Sequence, residues 1–208
     1  MHNTAFSFAS EVERKIQALS AEDFRLRRGC AKLLLEEWYP ISRLALQLKQ
    51  PGLEIFVDAF GDSGVADGRI EERGFRSRTF DVQVSYVENY EGALRRELMH
   101  HQGFTPGAGP IYRIKPSREI VADLVAVDFD HNVRQAAACI AQRFTNKASM
   151  SYPENTALLL AFDDVTLGGF AMWRQLLENI HEHATLAESR FISVYIINCA
   201  TNEIVRAV

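Results

Sequence analysis

The stretch “TFDVQVSYV”, residues 79–87, alternates polar and apolar side chains without a fault. Side chains of an extended strand repeat every second residue, so Asp81, Gln83 and Ser85 share one face while Phe80, Val82, Val84 and Tyr86 share the other. Two β-rich segments precede it. “PGLEIFVDAF” (51–60) opens on turn residues and predicts a strand over Leu53–Phe60, closed by “GDSG” (61–64). “ADGRIEERGF” (66–75) is a shorter strand with Asp67, Arg69 and Glu71 on one face. The gaps between the three are too short for helical crossovers, so they predict an antiparallel meander.

Downstream, the period changes. “NYEGALRRELMHH” (89–101) spaces Tyr90, Leu94 and Leu98 as a helix stripe, with Gly103 as its stop. “FTPGAGP” (104–110) is a loop and “IYRI” (111–114) a short strand. Val133, Ala136, Ala137, Ile140, Ala141 and Phe144 then mark a helix over Val127–Lys147, with Asp128 or Asp130 as its cap. “NTALLLAFDD” (155–164) is apolar almost throughout, as in a strand buried on both faces, and the helix “GFAMWRQLLENIHEH” (169–183) leads to a second such strand, “RFISVYIINCA” (190–200). Strand, helix and strand in that order predict a parallel pair with a right-handed crossover, and “EIVRAV” (203–208) adds an edge strand.

The N-terminal part reads as helical. A first helix spans Ser10–Leu19, and Ser20 with Asp23 forms a capping box for a second, whose stripe runs Phe24, Cys30, Ala31, Leu34 and Trp38 until Pro40 ends or kinks it. The whole is an α/β fold, a mixed central sheet flanked by helices. At 208 residues and 47% hydrophobic content, the chain suits one compact domain over 1–208, with 104–155 as an elaboration of its core.

Composition bounds the function. The 23 Lys and Arg against 27 Asp and Glu leave a formal net charge of -4, so a nucleic-acid surface would have to be local. Cys30, Cys139 and Cys199 stand singly, with neither zinc-ligand nor C-x-x-C spacing. No apolar run reaches membrane-spanning length and the N-terminus lacks a signal pattern, so the expectation is a cytoplasmic protein with no membrane partner.

Asp67 on one strand, with Asp81 and Gln83 on the next, could meet across the meander. Hard divalent cations take oxygen ligands, often one or two carboxylates plus waters, so Asp67, Asp81 and the carbonyl of Val82 would suit Mg²⁺ or Mn²⁺. Glu36 and Glu37 are the acidic residues of a preceding helix. The bland reading stands beside this one: the same polar row could simply face solvent. Arg95, Arg96 and Lys115, with Arg113 and Arg118, could contact phosphates or merely form surface ion pairs. Asp163 and Asp164 follow a buried strand, where crevices open, or serve a turn. “GAG” (107–109) lacks the remaining spacing of a phosphate loop.

A helix, a three-strand meander with Asp67 of “ADGRI” in the second strand and “DVQVS” in the third, and then an Arg-bearing helix resemble the PD-(D/E)XK nuclease superfamily. The local likeness is nearest to the competence-associated CoiA-like nucleases, whose third strand carries E/D-x-Q followed by Ser. The resemblance covers roughly residues 66–97. It implies a restriction-endonuclease-like three-layer sandwich and metal-dependent hydrolysis of DNA. Asp67 and Asp81 would bind metal, Gln83 would orient water, and Glu37 would assist. Gln83 stands where Lys is usual; it can hydrogen-bond but carries no charge. The alternative is a nuclease-like fold without catalysis, acting as a nucleic-acid-binding or assembly module, and in either case a homodimer is possible.

Overall fold

The computed structural model describes residues 3–61, 65–88, 90–107, 109–125 and 128–208. Most of “GDSG” therefore lies outside the described residues, as do Ala108 of “GAG” and Val127 at the expected start of the long helix. A short strand β1 (Asn3–Thr4) leads into helix α1 (Ala5–Gln17), and a helical region follows as α2 (Ala21–Leu26), α3 (Cys30–Leu33) and α4 (Tyr39–Gln47). Then come β2 (Leu53–Ala59), β3 (Gly68–Gly74), β4 (Arg78–Tyr86), α5 (Tyr90–Gln102), a hairpin of β5 (Ile111–Arg113) and β6 (Ile120–Ala122), α6 (Phe129–Ala148), β7 (Thr156–Phe162), α7 (Phe170–His183), β8 (Val194–Asn198) and β9 (Glu203–Arg206).

Seven strands form one mixed sheet in the order β1-β2-β3-β4-β7-β8-β9. The meander is antiparallel, with Asp58 opposite Arg69 and Arg69 opposite Asp81. β4 then pairs parallel with β7, β7 pairs parallel with β8, and β9 closes the far edge antiparallel. The parallel pair β7/β8 is joined through α7, as its two apolar runs predict.

Helices pack on both faces. Phe80, Val82 and Val84 of β4, with Leu159 of β7, meet Phe8 and Val12 of α1 and Ile41 and Leu44 of α4 in one core. Leu158 and Leu160 point the other way, onto Val133, Ala137 and Ile140 of α6 and Trp173, Leu176 and Ile180 of α7. All seven residues of β7 are buried, because its alternating side chains serve both cores. Residues 104–155 hold the small hairpin and α6, whose apolar stripe forms part of the second core. No helix among the described residues is long and apolar enough to cross a membrane.

The N-terminal helices depart from expectation. α1 begins at Ala5, where Thr4 accepts from the Ser7 N–H, rather than at Ser10. The Ser20 cap forms as read, its hydroxyl accepting from the Asp23 N–H at 3.0 Å, but α2 ends after one and a half turns. Arg27 enters the left-handed region at φ 52° and Gly29 follows at φ 55°, ψ -131°, so the stripe from Phe24 to Trp38 is not one helix and Cys30 is exposed. Pro40 stands in the first turn of α4, whose C-cap is Leu48, and so opens a further short helix rather than stopping the chain's helical course. Residues Leu34–Trp38 form a π-turn, with the Tyr39 N–H reaching back to the Leu34 carbonyl, and the missing Pro40 N–H is absorbed as the helix runs on into α4.

Candidate functional site

β4 sits at the centre of the sheet, and its polar row is not a solvated face. Asp81 and Gln83 are each 8% exposed and Ser85 5%. Their side chains share the face of Thr156, Leu158 and Leu160, which stand opposite Asp81, Gln83 and Ser85 in the β4/β7 register. A buried polar group costs free energy unless it is hydrogen-bonded. Asp67, just before β3, supplies part of that. Its Oδ2 accepts from the Gln83 amide and, at 2.6 Å, from the Val84 backbone N–H. Its own N–H donates to the Val82 carbonyl at 3.0 Å, so that carbonyl already serves the strand ladder. The Gln83 amide also donates to the Val84 carbonyl at 3.0 Å.

Asp81 is held differently. Its Oδ1 receives Arg69 Nε at 2.7 Å from the directly opposite position on β3. The Arg69 side chain is about half exposed and can be solvated if it leaves, but Asp81, nearly buried, then needs another cationic or hydrogen-bonding partner. The Asp81 hydrogen bond raises Arg69 above its ordinary value. The structure thus brings Asp67, Gln83 and Asp81 onto one polar row. Among the described residues, no three His, Cys, Asp or Glu side chains are grouped to hold an ion.

The other candidates scatter. Glu37 lies in the π-turn half-buried, and its neighbour Glu36 turns to Arg27. Arg95 clamps the loop after α5, its guanidinium donating to the carbonyls of Pro106 and Gly109. Arg96 is ion-paired with Glu88. Lys115 is exposed between β5 and β6, while Arg113 beside it pairs with Glu97 at 2.5 Å.

A second polar centre lies at the carboxyl ends of β4 and β7, the place where sheets with parallel strands open crevices. Arg27, only 9% exposed at its side chain, donates to Glu36 at 3.2 Å, to the Tyr86 hydroxyl at 2.7 Å and to Asp163 at 2.6 Å. Its guanidinium also lies over the Tyr86 ring, 4.2 Å from the centroid. The Tyr86 hydroxyl in turn donates to Asp163. Burial works against the Arg27 charge, but Tyr86, Asp163 and Glu36 outweigh it and hold the group above its ordinary value. Burial likewise pushes the Tyr86 phenol far up, against the pull of Arg27 and with Asp163 adding to it, so this hydroxyl stays protonated as a donor. Asp164 makes a local turn instead, accepting from the N–H and hydroxyl of Thr166 at 2.7 and 2.6 Å.

Two adjoining depressions share Arg27, Tyr86, Glu88 and Arg96. One, of about 620 Å³, runs from Arg27 past Phe162 to α6; the other, of about 310 Å³, is bounded by Lys32 and Arg143. No protein-family model, curated protein or solved structure matches the chain. The geometry alone therefore bears on function.

Sequence reading flagged Asp163 as a possible crevice residue but passed over Arg27, Tyr86, Glu88 and Arg143. Tyr86 read as an apolar-face residue, and Arg27 lay in what looked like mid-helix. Their partners are 59 and 136 positions away from Arg27 in the chain, and no local spacing carries that.

Proposed function

We propose that the protein is a metal-dependent, nuclease-like phosphodiester hydrolase acting on DNA, on a restriction-endonuclease-like three-layer sandwich. The observation that carries this reading is the contact of the Asp67 carboxylate with Gln83, in the same buried row as Asp81. A strand meander followed by a parallel partner for its third strand also supports it. Carboxylate oxygens are the donor type that Mg²⁺ or Mn²⁺ prefers, and two of them with solvent suffice for such an ion. The fit requires Arg69, which can be solvated, to release Asp81 as the ion takes its place.

A bound divalent ion would neutralise charge on a phosphodiester and lower the pKa of a water. Asp67 and Asp81 would hold the ion. Gln83, fixed between Asp67 and the Val84 carbonyl, can orient a water by hydrogen bonding but cannot take its proton. Glu37 would assist from the helical side and Lys115 would be a phosphate contact, whereas Arg96, paired with Glu88 at the far end of β4, lies at the other crevice. Arg95, committed to the Pro106 and Gly109 carbonyls, contributes by shaping the loop after α5.

The test is hydrolysis of plasmid, linear and branched DNA in Mg²⁺ and Mn²⁺. Cleavage should vanish with chelator and fall about a hundredfold or more in Asp81→Ala. Metal-dependent cleavage that persists unchanged in that variant sinks the assignment. Because Arg69 can turn to solvent, Asp81→Ala should cost little more than about 1 kcal/mol of stability, so lost activity would not be unfolding.

A second reading, a non-catalytic binding or assembly module, is favoured by one observation: Arg69 already neutralises Asp81 while Gln83 is committed to Asp67. Calorimetric titration with Mg²⁺ and Mn²⁺ separates the two. Binding that disappears in Asp67→Asn and Asp81→Asn supports the hydrolase, whereas no binding to the unmodified chain supports the module.

A further inference from the structure

We propose that the crevice at the carboxyl ends of β4 and β7 binds a small phosphomonoester carried on a compact, largely apolar body, a nucleoside monophosphate being a simple member of that class. This site is independent of the polar row on β4. Asp81 and Tyr86 are five residues apart on one strand, about 16 Å at the rise of an extended chain.

The smaller depression has an uncompensated positive charge. It is lined by four cations, Arg27, Lys32, Arg96 and Arg143, against two carboxylates, Glu36 and Glu88, and Asp163 of the adjoining depression also pairs with Arg27, so three carboxylates face four cations. Glu36 is taken by Arg27 and Glu88 by Arg96. Lys32 and Arg143 then have no carboxylate partner among the described residues. Arg143 makes only a long contact, 3.4 Å, to the Glu88 carbonyl. Burial, and after it the positive charge of Arg27, draws Arg96 below its ordinary value. An anion seated there would relieve that repulsion, and guanidinium groups suit phosphate oxygens.

The larger depression supplies the place for a body. It is continuous with the first through Arg27, Tyr86, Glu88 and Arg96, and is lined beyond them by Phe162, Ile140 and Ala136. Apolar walls with a few convergent polar groups are the usual make-up of a small-molecule site, and about 620 Å³ falls in the usual range. Asn132 and Gln135 of α6 stand on the same wall and offer amides for a polar edge of the body. The floor is rigid, since Arg27 is locked at once by Glu36, Tyr86 and Asp163.

The test uses the full chain in chelator, so that the metal reading has no part in the result. Calorimetric titrations with dAMP, deoxyadenosine and inorganic phosphate are compared between the unmodified protein and the double variant Lys32→Ala/Arg143→Ala. Both substituted side chains are exposed and off the cores, and circular dichroism checks that the fold is kept. Saturable dAMP binding, displaced by inorganic phosphate, absent for deoxyadenosine and weakened about tenfold or more in the double variant, is the expected result. Absence of saturable dAMP binding overturns the proposal, as does equal affinity in the double variant. Deoxyadenosine binding as tightly as dAMP overturns the phosphate subsite, and inorganic phosphate binding as tightly as dAMP overturns the site for the body.

Discussion

Glu203 shows what a single carboxylate can do at a distance. Helix α7 opens at Gly169, which has no side chain to cap its exposed N–H groups. Glu203, on the edge strand β9, fills that role: it accepts from the Gly169 N–H, the Trp173 indole and the Thr201 hydroxyl, each at 3.0 Å. These donors favour the ionised form, the Gly169 N–H most, and hold Glu203 below the ordinary carboxylate value of 4.5. A lowered folded pKa means that the unfolded chain binds the proton more readily. The stabilisation is therefore full above about 4.5 and is lost as pH falls through the folded value. Glu203→Gln should lower stability at pH 7 by no more than about 1 kcal/mol, the site being partly solvated. Urea titrations of both proteins at several pH values check this. The gap should close in acid, and a gap that stays constant from neutral to acid pH would remove the helix-anchoring role.

At the scale of elements, the meander depends on one close approach of backbone. Gly74 ends β3 opposite Leu53, at φ +148°, and a Cβ there would stand 2.1 Å from the Gly52 carbonyl oxygen. That neighbour is backbone and cannot turn aside. Gly74→Ala should therefore cost about 2–4 kcal/mol by parting the β2/β3 ladder, while Gly61→Ala, with open space around it, stays within about 0.5 kcal/mol. Thermal melts of the two variants decide it, and equal melting temperatures would rule out the contact. Strands such as β7 and β8 were legible in the sequence because unbroken apolar runs between turns have few other outcomes. The α2–α4 region was not, because its stripe fits one helix unless Arg27 adopts a left-handed conformation, and Arg27 does so while reaching Tyr86 and Asp163, contacts that are far off in sequence. For β4 the alternation told which residues share a face but not what covers it. Asp81, Gln83 and Ser85 were thus legible as a row and not as a buried one. That Asp67 lies across the meander from the row of Asp81 and Gln83 followed from strand order, whereas the Asp67–Gln83 hydrogen bond and the Arg69–Asp81 pair required the actual register.

For the molecule as a whole, the question is whether two cores make one cooperative unit. β7 lies between them: Leu159 packs with α1 and α4, and Leu158 and Leu160 with α6 and α7. Neither core can lose its part of β7 without stripping the other, so the chain should unfold in a single transition. The two tryptophans report on the two sides separately. Trp38 packs beside Phe8 and donates to the Phe60 carbonyl, whereas Trp173 lies against Phe162 in the second core. Single-tryptophan variants, Trp38→Phe and Trp173→Phe, allow each core to be followed by fluorescence in urea against far-ultraviolet circular dichroism of the same sample. Within each variant the two probes should give coincident curves. Leu159→Ala, a truncation in the first core, should shift the Trp173 signal as far as the Trp38 signal, by about 3 kcal/mol, with the slope against urea unchanged. A Trp173 transition that stayed in place while the Trp38 transition moved would show that the two faces of β7 unfold independently, and that the sheet does not couple the polar row on β4 to the α6/α7 layer.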